Sequence, residues 1–408
     1  MNELSSGRKV DSKQTKSLMP NRRSFLKLTG AVGGAGLMAG TAAGKSVEDA
    51  VEDSEDIELP DEDERPMIRV IGTGGTIAST QEAAGGSGYD VSERAQAIID
   101  SVPILANFAE ITFEQVAQKG SSSLLVEDYA NVVRAARQAE ADGAVGAIVT
   151  HGTDAIEEDA YFNDLVLDLD IPVAFVGAQR PGDAVSADGP ANLLTAVRML
   201  TREEFHLEDE PSGVYVVLND TVHAARDVTK TNTTKLETFD SGPPGPVAVF
   251  TDIELLLYRE PGSYSGDLSD ADLDAVSEKV VPIVSTGAGI DAYITEQAIA
   301  GEYDVDGIAI LATGAGGGTA PAVSDATQSA VEAGIPVVKA TRVFWGPLDE
   351  EYGPLEERDG DVAVTMESLP VWKSRLHLML ALTVTENLDE IAETVAGYGL
   401  PTFPPSTL

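Results

Sequence analysis

The sequence predicts an α/β fold with a doubly wound, mainly parallel sheet in a larger N-terminal domain and a second, smaller α/β C-terminal domain. Three observations support this prediction. Short apolar runs typical of buried strands alternate with helical segments from residue 67 onward. Polar, glycine-containing clusters follow several of these runs. The chain has 408 residues, which is too long for one ordinary domain and suits two.

The first predicted domain spans residues 66–255. Its predicted strands are 67–72, 145–150, 171–176 and 214–218. Between them, residues 124–141 have apolar positions on one helical face, and Gly143 is suited to end that helix. A second helix is predicted from Ala155, where Asp154 and Glu157 match a D-x-x-E capping box. This alternation of strand and helix indicates a parallel sheet.

The second predicted domain spans residues 279–408. It follows a polar segment, 256–278, that contains Pro261, Gly262 and many aspartates and is predicted to be the linker. Strands are predicted at 280–284, 308–311 and 337–338, and helices at 295–301 and 324–333. The same alternation predicts a second α/β unit.

The N-terminal region has the features of a targeting signal. Residues 21–27, with Arg22 and Arg23, resemble a twin-arginine export signal, and residues 1–46 are predicted to form the signal region. The apolar stretch that follows is too short and too rich in glycine for a stable membrane anchor. Residues 47–65 hold eleven acidic side chains and one arginine, which indicates a disordered spacer. We therefore expect an exported, extracellular or cell-surface protein.

The charge is strongly negative. The formal net charge is −41, and residues 47–408 hold 19 basic and 66 acidic side chains, a net of −47. Such a surface repels nucleic acid, so no nucleic-acid partner is expected. Such a charge is typical of a halophilic protein. The acidic side chains repel one another in dilute buffer, but salt at ~1 M shortens the Debye length to about 3 Å and screens this repulsion. There are no cysteines and the four histidines lack ligand spacing, so no metal and no cofactor are predicted.

Two polar clusters near the N-terminus are candidates for chemistry. In residues 73–78, Thr76 follows two glycines, so its hydroxyl could attack a carbonyl carbon while nearby N–H groups bind the oxyanion. A simple turn at the strand end fits the spacing equally well. A dinucleotide-binding loop would need a third glycine, and the sequence has Ile77 at that position. Residues 79–92 surround Tyr89 with glycines, which indicates either a mobile lid or an ordinary surface loop.

Two further clusters follow later strands. The first is 151–154, which includes Thr153 and Asp154, and the second is 226–233, which includes Lys230. A lysine near Thr153 and Asp154 could take a proton from a hydroxyl if burial lowers the lysine pKa. The alternatives are a solvated lysine and an aspartate that caps a helix.

Taken together, the segments 73–78, 151–154, 177–190 and 219–234 resemble bacterial-type (type II) L-asparaginases over about residues 67–400. The resemblance implies that Thr76 is the nucleophile and that Tyr89 orients it from a lid. It implies that Thr153, Asp154 and Lys230 form a second catalytic group. Ser121 would bind the substrate carboxylate, and Thr153 and Asp154 would also contact the substrate.

The resemblance further implies hydrolysis of L-asparagine to aspartate and ammonia through a threonine acyl-enzyme. It also implies a homodimer or homotetramer in which a neighbouring subunit completes the site. The sequence departs from the family at Ser122, where an amide or acid is usual, and the neighbouring subunit's contribution has no clear counterpart near 285–289. Glu350 or Glu351 is a candidate for that acidic contact.

Three other functions remain open from the sequence. The first is a glutaminase-asparaginase with the same residues. The second is the ammonia-supplying subunit of an archaeal glutamyl-tRNA amidotransferase, which should be cytosolic and carry an extra N-terminal domain. The third is a non-catalytic amino-acid-binding module on a related fold, against which the presence of Thr76, Thr153 and Lys230 argues.

Overall fold

A computed structural model describes most of the chain between residues 65 and 396. The described residues are 65–75, 77, 99–100, 102–207, 210–251, 254–300, 304–315, 318–346, 348, 363–365 and 368–396. The predicted signal region and all of the acidic spacer before Arg65 lie outside them. No helix in the described part of the chain is long and apolar enough to span a membrane.

A large sheet forms the first half of the described chain. Its strands are β1 (Met67–Gly74), β2 (Glu110–Lys119), β3 (Gly146–Thr150), β4 (Val173–Val176), β5 (Val214–Leu218), β6 (Thr221–Ala224), β9 (Ala248–Phe250) and β10 (Leu255–Leu257). They lie in the order β10-β9-β6-β5-β4-β3-β1-β2. The pairs between β2 and β5 are parallel, whereas β5, β6, β9 and β10 pair antiparallel. A separate two-stranded ribbon contains β7 (Thr229–Lys230) and β8 (Phe239–Asp240).

Three helices join the parallel strands, namely α1 (Val126–Ala141), α2 (Ile156–Val166) and α3 (Gly189–Leu200). At the start of α1, the Asp128 carboxylate accepts the Leu125 backbone N–H at 2.7 Å, which satisfies one of the free donors of the first turn. The helix ends before Gly143, whose φ of +88° is the left-handed conformation that glycine adopts without strain. The prediction of this helix is confirmed.

A smaller parallel sheet forms the second half. It contains β11 (Ile283–Ser285), β12 (Ile308–Ala312), β13 (Val337–Thr341) and β14 (Ala363–Thr365), in that order. Its helices are α4 (Tyr293–Ala300), α5 (Pro321–Glu332), α6 (Val371–Val384) and α7 (Leu388–Ala396). The predicted fold class is therefore confirmed. Helix α6 was not predicted, because its buried residues do not form the one-sided apolar stripe that predicts a surface helix.

The segment predicted to be the linker contacts the first half of the chain. It begins within β10, which pairs with β9 at the edge of the large sheet. Farther along, the Gly262 N–H donates to the Tyr215 hydroxyl at 2.7 Å, and the Leu268 N–H donates to the Leu165 carbonyl at 2.6 Å. These bonds hold the segment against β5 and α2.

The core of the first half continues into the second through α2 and α6. Tyr161 and Phe162 of α2 are fully buried, and the Tyr161 hydroxyl lies 3.0 Å from Nδ1 of His377 in α6. Burying an aromatic side chain of this size stabilises the fold by about 1.5–3 kcal/mol. Residues Met67–Thr251 and Leu255–Leu408 accordingly form one compact unit.

Candidate active site

Three neighbouring parallel strands end at one edge of the large sheet. β1 lies between β2 and β3, so the chain passes to one side of β1 and then to the other. Ligands of doubly wound sheets bind where the strand order reverses in this way, beyond the carboxyl ends of the strands. The loops after β1, β2 and β3 contain the predicted residues Thr76, Ser121 and Thr153, so this edge is the candidate site.

Glycines allow these three loops to touch through their backbones. Gly75 has a φ of +83°, and a Cβ atom placed on it would lie 2.2 Å from the Gly152 nitrogen. A Cβ atom on Gly152 would lie 2.7 Å from Oγ of Ser121. No larger residue fits at either position without moving the backbone or displacing Ser121. The loop after β1 therefore packs on the loop after β3, which packs on Ser121.

Two of the predicted catalytic residues, Thr76 and Tyr89, lie outside the described residues, as do Glu350 and Glu351. The two neighbours of Thr76 are described. Gly75 packs on Gly152, as above, and its N–H donates to the Lys119 carbonyl at 3.2 Å. Ile77 is buried, and its Cγ1 would lie 3.0 Å from a Cβ atom placed on Gly189 at the start of α3.

Lys230 contacts the other two residues of the second predicted catalytic group, Thr153 and Asp154. Its Nζ donates to Oγ1 of Thr153 at 2.9 Å and to Oδ1 of Asp154 at 2.7 Å. The side chain of Lys230 is 13% exposed and that of Asp154 is 73% exposed. The ammonium therefore lies mostly within the protein, while the carboxylate faces solvent, from which a cationic group of a substrate could approach it.

Thr153 is fixed on its other side by the loop after β4. A Cβ atom on Gly177 would lie 2.8 Å from Cγ2 of Thr153, so a glycine is needed for this close contact. Asn192 donates from Nδ2 to the Gly177 carbonyl at 3.0 Å. The Asp188 carboxylate accepts the backbone N–H groups of Gln179 and Arg180 at 3.0 and 2.9 Å. Asp188 and Asn192 thus shape this loop.

Glu157 contacts the backbone of Lys230. The prediction that Asp154 and Glu157 form a capping box is wrong. Helix α2 begins at Ile156 after Ala155, without a side-chain cap. Oε2 of Glu157 instead accepts the Lys230 N–H at 3.1 Å. Burial raises the pKa of the Glu157 carboxyl, and the nearby Lys373 ammonium opposes this increase. A buried carboxylate needs such partners, and the incoming Lys230 backbone is one of them.

His151 supports the loop after β3 from the interior of the protein. The residue is fully buried, with Nδ1 2.8 Å from the Gly152 carbonyl and Nε2 3.1 Å from Oδ2 of Asp159. Burial raises the pKa of Asp159, and the neighbouring imidazole opposes the increase. Thr73 donates to the Thr150 carbonyl at 2.9 Å, which ties the end of β1 to the end of β3. His151 therefore fixes the loop after β3 to α2, and Thr73 joins the ends of β1 and β3.

Several of these supporting residues could not be identified from the sequence. Gly177, Glu157 and Asp159 were not assigned a role at the site, because nothing in their local pattern reveals a contact with a distant loop. Lys373 did give a signal. It is one of few lysines after residue 46 and lies in the otherwise largely apolar stretch 371–384.

The arrangement is suited to proton transfer at a hydroxyl. The 2.9 Å between Lys230 Nζ and Thr153 Oγ1 lies within the range over which a general base takes a proton. Asp154 balances the positive charge of the Lys230 ammonium. The same edge combines a carboxylate open to solvent with the hydroxyl of Ser121, which matches the ammonium and carboxylate of a free amino acid.

Comparison with known proteins gives the family. The family model for the asparaginase N-terminal domain matches residues 67–262, and that for the glutaminase/asparaginase C-terminal domain matches residues 280–395. The chain is 33% identical over 336 residues to L-asparaginase 2 of Escherichia coli, covering 82% of this chain and 93% of that protein. It is 31% identical over 330 residues to a glutaminase-asparaginase of Pseudomonas fluorescens, covering 79% and 88%.

The fold agrees with these matches. The crystal structure of a probable cytoplasmic L-asparaginase from Campylobacter jejuni superposes with a TM-score of 0.70 at 30% identity, and the match covers 81% of this chain and 99% of that one. Both domain models occur in chain order and together span the two sheets and the candidate site. The chain therefore belongs to the asparaginase family of amidohydrolases.

Proposed function

We propose that the protein hydrolyses L-asparagine to L-aspartate and ammonia through an acyl-enzyme on Thr76. The observation that carries the proposal is the contact of Lys230 with both Thr153 and Asp154 at the edge where β1, β2 and β3 end. The identity to L-asparaginase 2 of Escherichia coli supports the choice of substrate.

The reaction takes place in two steps. The Thr76 hydroxyl attacks the side-chain amide carbon, its proton passes to the amide nitrogen, and the C–N bond breaks to release ammonia. Water then attacks the β-aspartyl ester and releases aspartate, while Thr76 regains its proton. Backbone N–H groups at the site are expected to stabilise the oxyanion in both steps, and the loss of one such donor typically lowers turnover by about 10²–10³.

Two side chains select the substrate. Asp154 pairs with the α-ammonium, and Ser121 binds the α-carboxylate. The support for these roles is the exposed carboxylate of Asp154 and the position of Ser121 against Gly152, one residue from Thr153. A free amino acid presents both charges, whereas an asparagine side chain within a protein does not. Hydrolysis is therefore confined to the free amino acid.

The test of the function is the release of ammonia from asparagine and from glutamine in molar salt. One methylene in a binding pocket changes kcat/KM by about 10–200-fold. We expect asparagine to be preferred within that range, whereas equal values would favour a glutaminase-asparaginase such as the Pseudomonas relative. No release from either amide, with binding of aspartate intact, would indicate a non-catalytic amino-acid-binding module.

We further propose that the enzyme is a homo-oligomer in which a second subunit completes the site. Several large apolar side chains are exposed in the described residues, including two pairs of chain neighbours. Leu257 and Tyr258 are 44% and 63% exposed, and Phe344 and Trp345 are 55% and 38% exposed. Exposed apolar patches of this kind are typical of subunit interfaces. Light scattering after size exclusion should give two or four times 42.7 kDa, less any cleaved signal. The mass of a single chain at micromolar concentration would exclude this assembly.

We also propose export by the twin-arginine route, which rests on Arg22 and Arg23 and the apolar stretch after them. Replacing both arginines by lysine keeps the charge and is expected to retain active enzyme inside the cell. Cell fractions and medium would be assayed for ammonia release. Arg8→Lys, which lies in the same basic region outside the motif, is the control and should leave export unchanged. Normal secretion of the double variant would contradict the proposal.

A further inference from the structure

Lys373 is a fully buried lysine in α6, whose sequence is matched by the C-terminal domain model. Its Nζ donates to three backbone carbonyls, those of Ala225 at 2.8 Å, Arg226 at 3.0 Å and Val228 at 2.6 Å. An ammonium has three donors, so these three bonds use all of them. The ammonium also lies 5.6 Å from the centre of the Tyr161 ring.

The three carbonyls belong to the segment that leads to Lys230. Residues 225–228 connect β6 to β7, and Lys230 is the last residue of β7. The Lys230 backbone is held on one side by Oε2 of Glu157 and on the other by pairing with Phe239 of β8. Lys373 holds the carbonyl of Val228, two residues before Lys230, from the side of α6. The pair of Arg259 with Asp227 and the bond from the Ala225 N–H to the Val214 carbonyl also support this segment. A shift of the Val228 carbonyl would therefore displace Lys230.

The charges around Lys373 make this contact costly to lose. Burial lowers the pKa of Lys373 to about 8, while Glu157, Asp227 and Glu158 oppose the shift and Arg226 adds to it. Removing the ammonium would leave three carbonyl oxygens converging without a donor in the interior. It would also remove the cation that opposes the raised pKa of Glu157. The first effect acts on the segment before Lys230, and the second acts on Glu157, which accepts the Lys230 N–H.

We propose that Lys373 is a positioning residue for Lys230, through which the C-terminal domain holds the catalytic lysine within reach of Thr153. The inference rests on the proposed catalytic role of Lys230. Lys373 does not touch the candidate substrate-binding groups Ser121 and Asp154 in the described structure. Its loss should therefore lower kcat and leave KM nearly unchanged.

The decisive experiment is a double-mutant cycle between Lys373→Met and Lys230→Met in the full-length enzyme. Alone, Lys373→Met should lower kcat by about 10²-fold, because misplacing a catalytic group by ~1 Å costs about that much. In the Lys230→Met background, Lys373→Met should change kcat by less than about threefold, since the group it positions is already absent. KM for asparagine should stay within about threefold in all variants.

The matched control is Arg375→Met, which removes another cation from α6. Nε of Arg375 donates to the Val281 carbonyl at 2.8 Å, away from the segment before Lys230. We expect this variant to lower the melting temperature but to keep kcat near that of the unmodified enzyme. If Lys373→Met does not fold, Lys373→Gln, which keeps a donor of similar reach, is measured in the same cycle.

The outcomes separate the two proposals. A loss of the same factor in both backgrounds, or an equal loss with Arg375→Met, would show a general structural role and overturn the positioning role. Full kcat in Lys373→Met would also overturn it. If Lys230→Met itself keeps full kcat, the proposed role of Lys230 fails, and the positioning inference fails with it. Non-additive losses with an unaffected control are the expected result.

Discussion

Replacing Lys230 by methionine is expected to lower kcat by about 10²–10⁴, the range that a positioned general acid or base contributes. The substitution keeps an unbranched side chain and removes the Nζ that contacts Thr153 and Asp154 at 2.9 and 2.7 Å. Thr153 then loses the only contact in the described structure that could exchange a proton with its hydroxyl. The chemical step slows, because the proton must move through water instead.

The stability of the fold should change far less than kcat. Asp154 is largely exposed, and ion pairs with an exposed partner contribute about 0–1 kcal/mol to the free energy of unfolding. The measurements are steady-state ammonia release and thermal unfolding of the same preparation. Lys235→Met is the matched control, because Lys235 lies exposed in the same segment and carries the same charge. It should retain kcat within about twofold.

Thr153→Val tests the partner of Lys230 in the hydrogen bond between their side chains. Valine has nearly the shape of threonine and lacks the hydroxyl. If Lys230 acts through Thr153, the double variant should be no slower than the slower single variant, since both remove the same proton path. Independent, multiplying losses would place Lys230 and Thr153 in separate roles, and a Lys230→Met variant with unchanged kcat would exclude Lys230 from the chemistry.

This contact could be predicted from the sequence because several weak signals agree. Thr153, Asp154 and Lys230 each follow a predicted strand or occur in an unusually polar segment, and parallel strands bring such segments to one edge. Strands β1, β3, β4 and β5 of the large sheet were predictable for a related reason, whereas its other four strands were not predicted. Its buried strands are short apolar runs, and glycines such as Gly143 mark where helices end.

The supporting contacts could not be predicted, because they depend on distances between residues far apart in the chain. Glu157 lies at the position of a capping-box acid, and local spacing cannot distinguish a carboxylate that caps its own helix from one that accepts the N–H of Lys230. Lys373 is a similar case. A lysine in an apolar helix indicates a buried cation, but its partners at 225, 226 and 228 follow only from how α6 packs.

Thr76→Ala is expected to abolish acyl-enzyme formation and to lower turnover by about 10⁶-fold, a loss typical of removing a hydroxyl nucleophile. Thr76 directly follows Gly75, whose backbone packs on Gly152 beside Thr153, so the two hydroxyls belong to adjoining loops. The Thr153 hydroxyl accepts a hydrogen bond from Lys230 and is better placed to pass on a proton than to attack the substrate amide. We therefore expect Thr153→Val to permit slow acylation.

The measurement is mass spectrometry of the enzyme after a rapid quench with a slowly hydrolysed asparagine analogue. The adduct should map to the peptide with Thr76 in the unmodified enzyme and in Thr153→Val, and should be absent in Thr76→Ala. Asn232→Ala is the control, because its side chain accepts the N–H groups of Thr234 and Lys235 in the same segment as Lys230 and has no assigned role in the chemistry. An adduct on Thr153, still formed in Thr76→Ala, would reverse the roles of the two threonines, since only the attacking oxygen can retain the acyl group.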